Sequence, residues 1–370
     1  MKIAILTEYY PSEERPGSGV YVHLRAAAYR RAGHDVRVYR AGDAGSASYE
    51  WDGVPVLLGP QEAVRAAAAA FDPAVTALHT PYPGEPHTRV ALSLPTPVVC
   101  WIHGYEAMVT AFFGYHRGLG RGLSLLHDAR KLWRLRRLLH RVTAIVHVSD
   151  WMRRTTERTL LYRHPRTRVI PNPVDTQRFR PRVDGGAAAG AGRLRGLAFR
   201  TLNVQYGLAV AVDAFRGVEG TDLTIVGTGP DAERLRSHIA ATGAAAELQE
   251  RAVPHGDVPE LLRRFDYFLA PGKKETQGLA MCEAMACGLP VVGSRAGGVP
   301  EYVRGGVDGI LVEPGNARDL RRGVRELVRD PGRAREMGRR AREHMIEVCD
   351  AARVIPRELA VLEAAAGWGG

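Results

Sequence analysis

Two carboxylates raise the first chemical question. Glu275 and Glu283 sit eight residues apart in the stretch ETQGLAMCEAM, which continues ACGLPVVGS. That continuation reads as a helix stopped by Gly288 and Pro290, followed by a Val-Val strand. Such text belongs in a packed interior, where an unpaired carboxylate is expensive. Both glutamates therefore need polar partners, from the protein or from a ligand. If the helix begins near Gly278, Glu275 lies in the loop before it and Glu283 one to two turns in, roughly 12 Å further along at helical rise. The N–H groups of Thr276, Gln277, Gly278 and Leu279 then open the helix without partners, and with the positive helix end they form an anion site. Gly278 keeps side-chain bulk away from it.

Other candidate groups fall on strand-to-helix turns. The PGSG turn, Pro16 to Gly19, follows an apolar run and opens a helix, which lets the backbone of Gly17 and Gly19 approach a phosphate or a sugar. Gly227 and Gly229 in IVGTGPDAERL occupy a similar turn, but the spacing is not a full dinucleotide fingerprint, and no acidic residue is evident at the end of a following strand. That turn is expected to shape a crevice. His103 in WIHGYE ends a buried strand at the crevice edge. His79 in ALHTPY has the same kind of position with weaker support, while His23 and His255 read equally well as surface residues.

The elements that must hold these groups follow one grammar. KIAIL, a Gly-rich turn, the helical VYVHLRAAAYRR and HDVRVYR make a βαβ unit, and VTALHT, TPVVCWIHG and VTAIVHVSD continue it. In the helix, Val20, Leu24, Ala27 and Ala28 recur at helical spacing. After the low-complexity stretch 182–193 the grammar restarts with LRGLAFRTL, DLTIVG, FDYFLAPG and PVVGS. Two tandem Rossmann-like lobes are predicted: 1–181, a linker at 182–193, 194–335, and a helical segment 336–370 that crosses back to the first lobe. Ligand crevices in such sheets lie at the carboxyl ends of the strands, so the expected site is the cleft between the lobes.

Composition limits the alternatives. The 370 residues exceed what one core usually serves, and 45% hydrophobic with 25% charged residues is ordinary for a globular protein. No apolar run approaches the roughly 20 residues that span a bilayer, and MKIAILTEYYPSEE turns acidic too soon for a signal peptide, so a cytoplasmic location is expected. Cys100, Cys282, Cys287 and Cys349 have no metal-ligand spacing and read as reduced, packed thiols. The net charge of +11 suggests an anionic partner. Nucleic acid is not expected, because the basic residues lack interleaved aromatics for base stacking.

The run from Asp222 to Asp319 resembles the donor half of retaining glycosyltransferases of family four, with the two-lobed GT-B fold. The residues that carry the resemblance are LTIVGTGPDAERL, FDYFLAPGKKETQGLAMCEAMACGLPVVGSRAGGVPEYV and GVDGILVEPGNARDL. In the first half GSGVYVHLRAAAYRRAGHDVRVY, WIHGYE, VSDWMRR and VIPNPVDTQRF match family text in the same order. The resemblance implies an acceptor lobe followed by a nucleotide-sugar donor lobe. It places Glu275 beside the sugar ring, gives the ribose hydroxyls to Glu283, makes the helix start the diphosphate site, and makes His103 a sugar or acceptor contact.

The sequence departs from the family's pattern in one loop. Family members carry an Arg and a Lys after the first strand of the second lobe. In LAFRTLNVQYGLAVAVDAF the Arg matches Arg200, but Gln205 or Tyr206 falls at the Lys position, and no lysine occurs between Lys131 and Lys273. Lys273 and Lys274, immediately before Glu275, are the candidate substitutes. No Asp-x-Asp pair occurs either, so no metal and no further cofactor is expected, and the leaving diphosphate must be met by Arg200, Lys274 and the helix start.

The resulting expectation is a retaining, metal-independent transferase acting on a nucleotide-sugar donor and a small acceptor, of natural-product or thiol metabolism. The rivals are a related enzyme with another donor or reaction, such as pseudo-glycosyl coupling or sugar-nucleotide epimerisation, and a transferase for a lipid acceptor at a membrane. The last would use the basic amphipathic stretch Arg121 to Arg141. The favoured reading of that stretch is a helix that packs Leu125, Leu126, Ala129, Leu132, Trp133 and Leu139 inward and solvates its arginines.

Overall fold

The computed structural model describes residues 1–42, 45–110, 121–182 and 193–367. The chain divides into two compact units, Met1–Pro173 with the chain from Ala352 onward, and Val174–Ala351.

The first unit is built on eight strands: β1 (Lys2–Leu6), β2 (Asp35–Ala41), β3 (Ala47–Trp51), β4 (Val54–Gly59), β5 (Val75–His79), β6 (Val98–Ile102), β7 (Ala144–His147) and β8 (Thr167–Val169). Their order in the sheet is β3-β4-β2-β1-β5-β6-β7-β8, parallel throughout except for the antiparallel β3–β4 pair. β5, β6 and β7 are buried at every position, which is why they read as unbroken apolar runs. The β3–β4 hairpin turns on Asp52 and Gly53, both at positive φ (47° and 76°), as a two-residue Asp-Gly turn requires. The strand order reverses between β1 and β5, so the loops after β1 and β5 frame this unit's crevice.

The helix Val20–Arg31 buries Val22, His23, Arg25, Ala26, Ala28 and Tyr29, so that of the expected stripe Val20, Leu24, Ala27 and Ala28 only Ala28 is buried. The reason is Arg25. Its Nε donates to Glu358 Oε1 at 2.9 Å and its Nη1 to Asn172 Oδ1 at 3.0 Å, while Tyr29 Oη donates to Glu358 Oε2 at 2.7 Å. Glu358 lies on the helix Ala351–Gly367, so this buried polar cluster fixes the returning chain to the first unit. Removing one partner would strand the other charge, at a cost of about 3–5 kcal/mol.

The second unit holds β9 (Leu194–Phe199), β10 (Thr221–Gly227), β11 (Ala246–Glu250), β12 (Tyr267–Ala270), β13 (Val291–Ser294) and β14 (Gly309–Val312). The sheet is parallel in the order β11-β10-β9-β12-β13-β14, with apolar clusters on both faces. Its strand order reverses between β9 and β12. Whatever follows those two strands lies at the switch point, where open α/β sheets bind ligands.

Two boundaries differ from expectation. The predicted linker at 182–193 lies for the most part (183–192) outside the described residues, and the change of unit falls earlier, between Pro173 and Val174. Val174 N–H donates to Cys349 O at 2.8 Å, and Phe179 is buried in the second core, so this segment is tied to the second unit before the low-complexity stretch begins. The C-terminal segment is two helices. Pro331–Val348 stays in the second unit, where Arg342 Nη1 donates to Phe179 O and Ala286 O, and only the chain from Ala352 onward belongs to the first.

The helix Arg121–Leu139 also corrects the sequence reading. Leu125, Leu126, Ala129 and Trp133 are exposed, Leu132 is half-buried, and only Leu139 of the expected stripe is buried. The buried face is polar in its first half. Asp128 accepts from Thr110 N–H (2.7 Å) and Oγ1 (2.8 Å) and pairs with Lys131 at 3.0 Å, which anchors the loop after β6. Among the described residues no helix is long and apolar enough to cross a membrane.

Candidate active site

In the second unit the loop from β12 runs Pro271 to Gly278 and opens the helix Leu279–Ala286. Gly278 caps that helix in the left-handed region (φ 82°), and the N–H groups of Gly278 and Leu279 have no partner among the described residues. The helix start is therefore where the sequence put it, with donors unspent.

Glu275 is held at both its backbone and its side chain. Its carbonyl accepts from Gly298 N–H at 2.7 Å. Its carboxylate pairs with Arg200 (Nη2 to Oε2, 2.8 Å), both side chains being 15% exposed. Arg200 follows β9 and lies over the ring of Tyr206, with Cζ 3.4 Å from the centroid. Tyr206 stands in the short turn Val204–Tyr206 that Asn203 caps. Tyr206, one of the two residues read at the family's lysine position, is thus a platform for Arg200, a role its type did not announce. A guanidinium over an aromatic face and against a carboxylate keeps its planar fork in one orientation.

Lys274, next to Glu275, is half-buried, and that burial pushes its ammonium below the usual lysine range. A diphosphate placed beside it would favour its charged form. Lys273 turns toward Gly315, where its Cε closes on the backbone. Gln277 sends its side chain inward, with Nε2 3.8 Å from Sγ of both Cys282 and Cys349. Thr276 sits in the loop between them.

At the other end of the motif Glu283 is buried and bonded to His255, Oε1 to Nε2 at 2.7 Å. His255 sits in the loop after β11, its ring 5.4 Å from that of Phe179. The sequence left His255 among surface candidates, because the strand before it, β11, does not stand out in the sequence. β11 also ends in an acidic residue where none was expected, Glu250, which pairs with Arg236 at 2.7 Å. Gly227 and Gly229 carry the turn after β10. A β-carbon at Gly227 would lie 1.9 Å from Arg200 O, and one at Gly229 2.4 Å from Leu202 O, so both glycines let the turn after β10 pack against the turn that presents Arg200.

The first unit holds its own cluster. Gly19 opens the helix Val20–Arg31 at φ 64° and lies against the Tyr9 backbone, where a β-carbon would stand 2.2 Å from Tyr9 O. Gly17 has open space around its Cα. After β6 the backbone N–H groups of His103 and Gly104 both donate to Glu106, at 2.5 and 3.0 Å. His103 Nε2 meets His79 Nδ1 at 3.0 Å, and Tyr21 lies 4.4 Å from the His103 ring. Burial holds both imidazoles well below the usual histidine range, with the Arg25 charge adding to it, so both are neutral. His23 is bonded to Tyr10 Oη at 2.8 Å and to Asp52 at 3.1 Å. No group of three or more His, Cys, Asp or Glu side chains among the described residues is arranged to hold a metal.

Two family models match the chain in tandem: Glycosyltransferase Family 4 over residues 16–178 and Glycosyl transferases group 1 over residues 197–344. An alpha-maltose-1-phosphate synthase of Mycolicibacterium smegmatis is 28% identical over 337 residues, 84% of either chain. A 2-deoxystreptamine N-acetyl-D-glucosaminyltransferase of Streptomyces fradiae is 34% identical over 111 residues, 30% of this chain and 26% of that one. In structure, a sucrose-phosphate synthase from Thermosynechococcus elongatus superposes with a TM-score of 0.83 at 18% identity, covering 98% of both chains. Matched unit by unit in sequence and along its length in fold, the chain belongs to the family-four type of glycosyltransferases with the GT-B fold, enzymes that act on nucleotide sugars.

Proposed function

We propose that this chain transfers a sugar from a nucleoside-diphosphate donor to a small, hydroxyl-rich acceptor, with retention at the anomeric carbon and without a metal. One observation supports this above the others: the Arg200–Glu275 pair stands beside the unspent N–H groups of Gly278 and Leu279, while Glu283 waits buried further along the same motif. That arrangement offers a sugar-facing carboxylate, an anion site and a ribose-facing carboxylate in series. Arg200, Lys274 and the helix start at Gly278 would stabilise the departing diphosphate, the work a metal clamp does where paired aspartates exist. The acceptor attacks from the face the diphosphate leaves, and a leaving phosphate oxygen takes its proton. Thr276 and Gln277 contribute backbone only, and Gly17 and Gly19 leave the first unit's crevice open to a ligand. The names of the two relatives, a maltose-1-phosphate and a deoxystreptamine enzyme, favour a small polar acceptor.

A thermal-shift screen with UDP-, GDP-, ADP- and dTDP-sugars tests the donor class, since a ligand that prefers the folded state raises its stability. The anomeric coupling of the product tests retention, and turnover in EDTA tests metal independence. Inversion, or activity that dies in EDTA and returns with Mn²⁺, would defeat the respective half of the proposal.

A lipid-linked acceptor is the second reading, favoured by the outward face of the helix Arg121–Leu139. Leu123, Leu126 and Trp133 are each 58% exposed there. A groove of about 560 Å³ beside them is lined by Arg89, Arg134, Arg137 and Arg141. Exposed leucines and a tryptophan among arginines suit an anionic lipid surface. Co-sedimentation with anionic but not neutral phospholipid vesicles would support this reading, and none with either would end it.

A further inference from the structure

His79 and His103 end neighbouring strands, β5 and β6, and meet edge to edge. Nδ1 of His79 is 3.0 Å from Nε2 of His103, with ring planes 23° from parallel and centroids 5.3 Å apart. One proton lies between them, and either ring can own it. The surroundings decide which. His79 is fully buried, stacked on Trp101 at 4.8 Å, and its other nitrogen, Nε2, is buried with no partner. If His103 owned the shared proton, neutral His79 would carry its own on Nε2, as a buried N–H with nothing to accept it. If His79 owns it, Nε2 is a bare lone pair. Buried N–H groups without acceptors are the rarer and costlier defect, and the Arg25 cation, close enough to act on both rings, favours a lone pair in its field.

We propose that His79 donates Nδ1–H to His103 Nε2 and so fixes His103 as the Nδ1–H tautomer. The remaining nitrogen, Nδ1 of His103, has no hydrogen-bond partner among the described residues, and Glu106 holds the His103 backbone in place. His103 then presents an N–H to a substrate oxygen and has no free lone pair with which to take a proton. It orients; it is not the base. His79 is a positioning residue that acts through it. This rests on the reading that His103 meets sugar or acceptor, and it agrees with a nucleophile whose proton leaves on the diphosphate.

The test is a long-range ¹H–¹⁵N correlation on the full chain with ¹⁵N-labelled histidine, His103 being assigned by its loss in His103→Gln. The expected pattern is the Nδ1–H tautomer; an Nε2–H pattern overturns the proposal. His79→Asn, which keeps a donor at the Nδ1 position, should retain both the tautomer and the rate. His79→Leu should release His103 toward the Nε2–H form and lower kcat by about tenfold, the effect of one misplaced hydrogen bond, with little change in donor KM. A pure Nδ1–H pattern persisting in His79→Leu overturns the role of His79. Should His79→Leu not fold, the parent and His79→Asn spectra still decide. A parent enzyme with the Nδ1–H tautomer whose His103→Gln variant runs at full rate upholds the proton placement and removes His103 from substrate contact.

Discussion

Gly297 lies against the backbone of Glu275 so closely that a β-carbon on it would stand 2.1 Å from the Glu275 carbonyl oxygen. Its φ of 62° is also one that side chains disfavour. The loop after β13 is thus the floor on which Glu275 is set. Gly297→Ala should push that floor away, weakening donor binding tenfold or more and lowering Tm. Gly306→Ala is the control, because its φ is 80° but nothing lies within 4 Å of the added carbon, so only the backbone penalty of about 1–2 kcal/mol remains. Equal donor affinities in the two variants would show that the Glu275–Gly297 contact does not position the site.

The platform under Arg200 gives a second test. Lys274→Ala should cost roughly ten- to a hundredfold in kcat, the worth of a charged hydrogen bond to phosphate. Arg200→Ala should cost at least as much, because it also leaves Glu275 unpaired. Tyr206→Phe keeps the aromatic face and should run near the parent rate, whereas Tyr206→Leu should lose about three- to thirtyfold, the range of a cation–π contact. Steady-state release of nucleoside diphosphate at saturating donor measures all four. A Tyr206→Leu enzyme at the parent rate would reduce Tyr206 to loop packing.

The architecture was legible because buried parallel strands leave unbroken apolar text and glycines punctuate their carboxyl ends. The Glu275 and Glu283 motif, with its helix start at Gly278, stood out for the same reason: charge in apolar text needs a partner. The partners were not legible. Arg200 and Tyr206 come from the loop after β9 and His255 from the loop after β11, and only the sheet order brings them to Glu275 and Glu283. Helical periodicity failed at Arg25 and Asp128, where a buried charge satisfied by distant residues outweighs the apolar stripe the sequence displays. Low complexity marked a boundary at 182–193, yet Val174 and Phe179 were already committed to the second unit by contacts with residues far along the chain.

The first unit should be acid-sensitive. Burial pushes His87 down to about 4 and His147 to about 3, and both are almost inaccessible. Their folded values lie below the unfolded value near 6.5, so the unfolded chain binds more protons on acidification and stability falls as pH drops through 6.5 toward 4. At pH 5 each should cost about 2 kcal/mol relative to pH 7.5. Urea unfolding across this range checks it. His87→Gln can still donate to Thr80 O, as His87 Nε2 does at 2.9 Å, and should flatten the dependence. A stability that is level from pH 7.5 to 5 would contradict the buried, neutral state of these rings.

The pair Glu283 and His255 separates ligand binding from local packing. A carboxylate accepts through two oxygens, and His255 engages only Oε1, so the ribose hydroxyls can be met by the rest of the group. Glu283→Gln loses the charge-assisted bonds and should weaken nucleotide binding about tenfold or more. His255→Gln can keep a donor near Oε1 and should bind like the parent. His255→Leu leaves the carboxylate buried and loosely held, so affinity should fall by less than for Glu283→Gln, accompanied by a loss of stability. In the double variant the two effects should not add, since without the carboxylate His255 has nothing to orient. Calorimetry with the nucleoside diphosphate measures all four proteins. Unchanged affinity in Glu283→Gln would take Glu283 out of the site, and strictly additive losses would mean that His255 touches the nucleotide by itself.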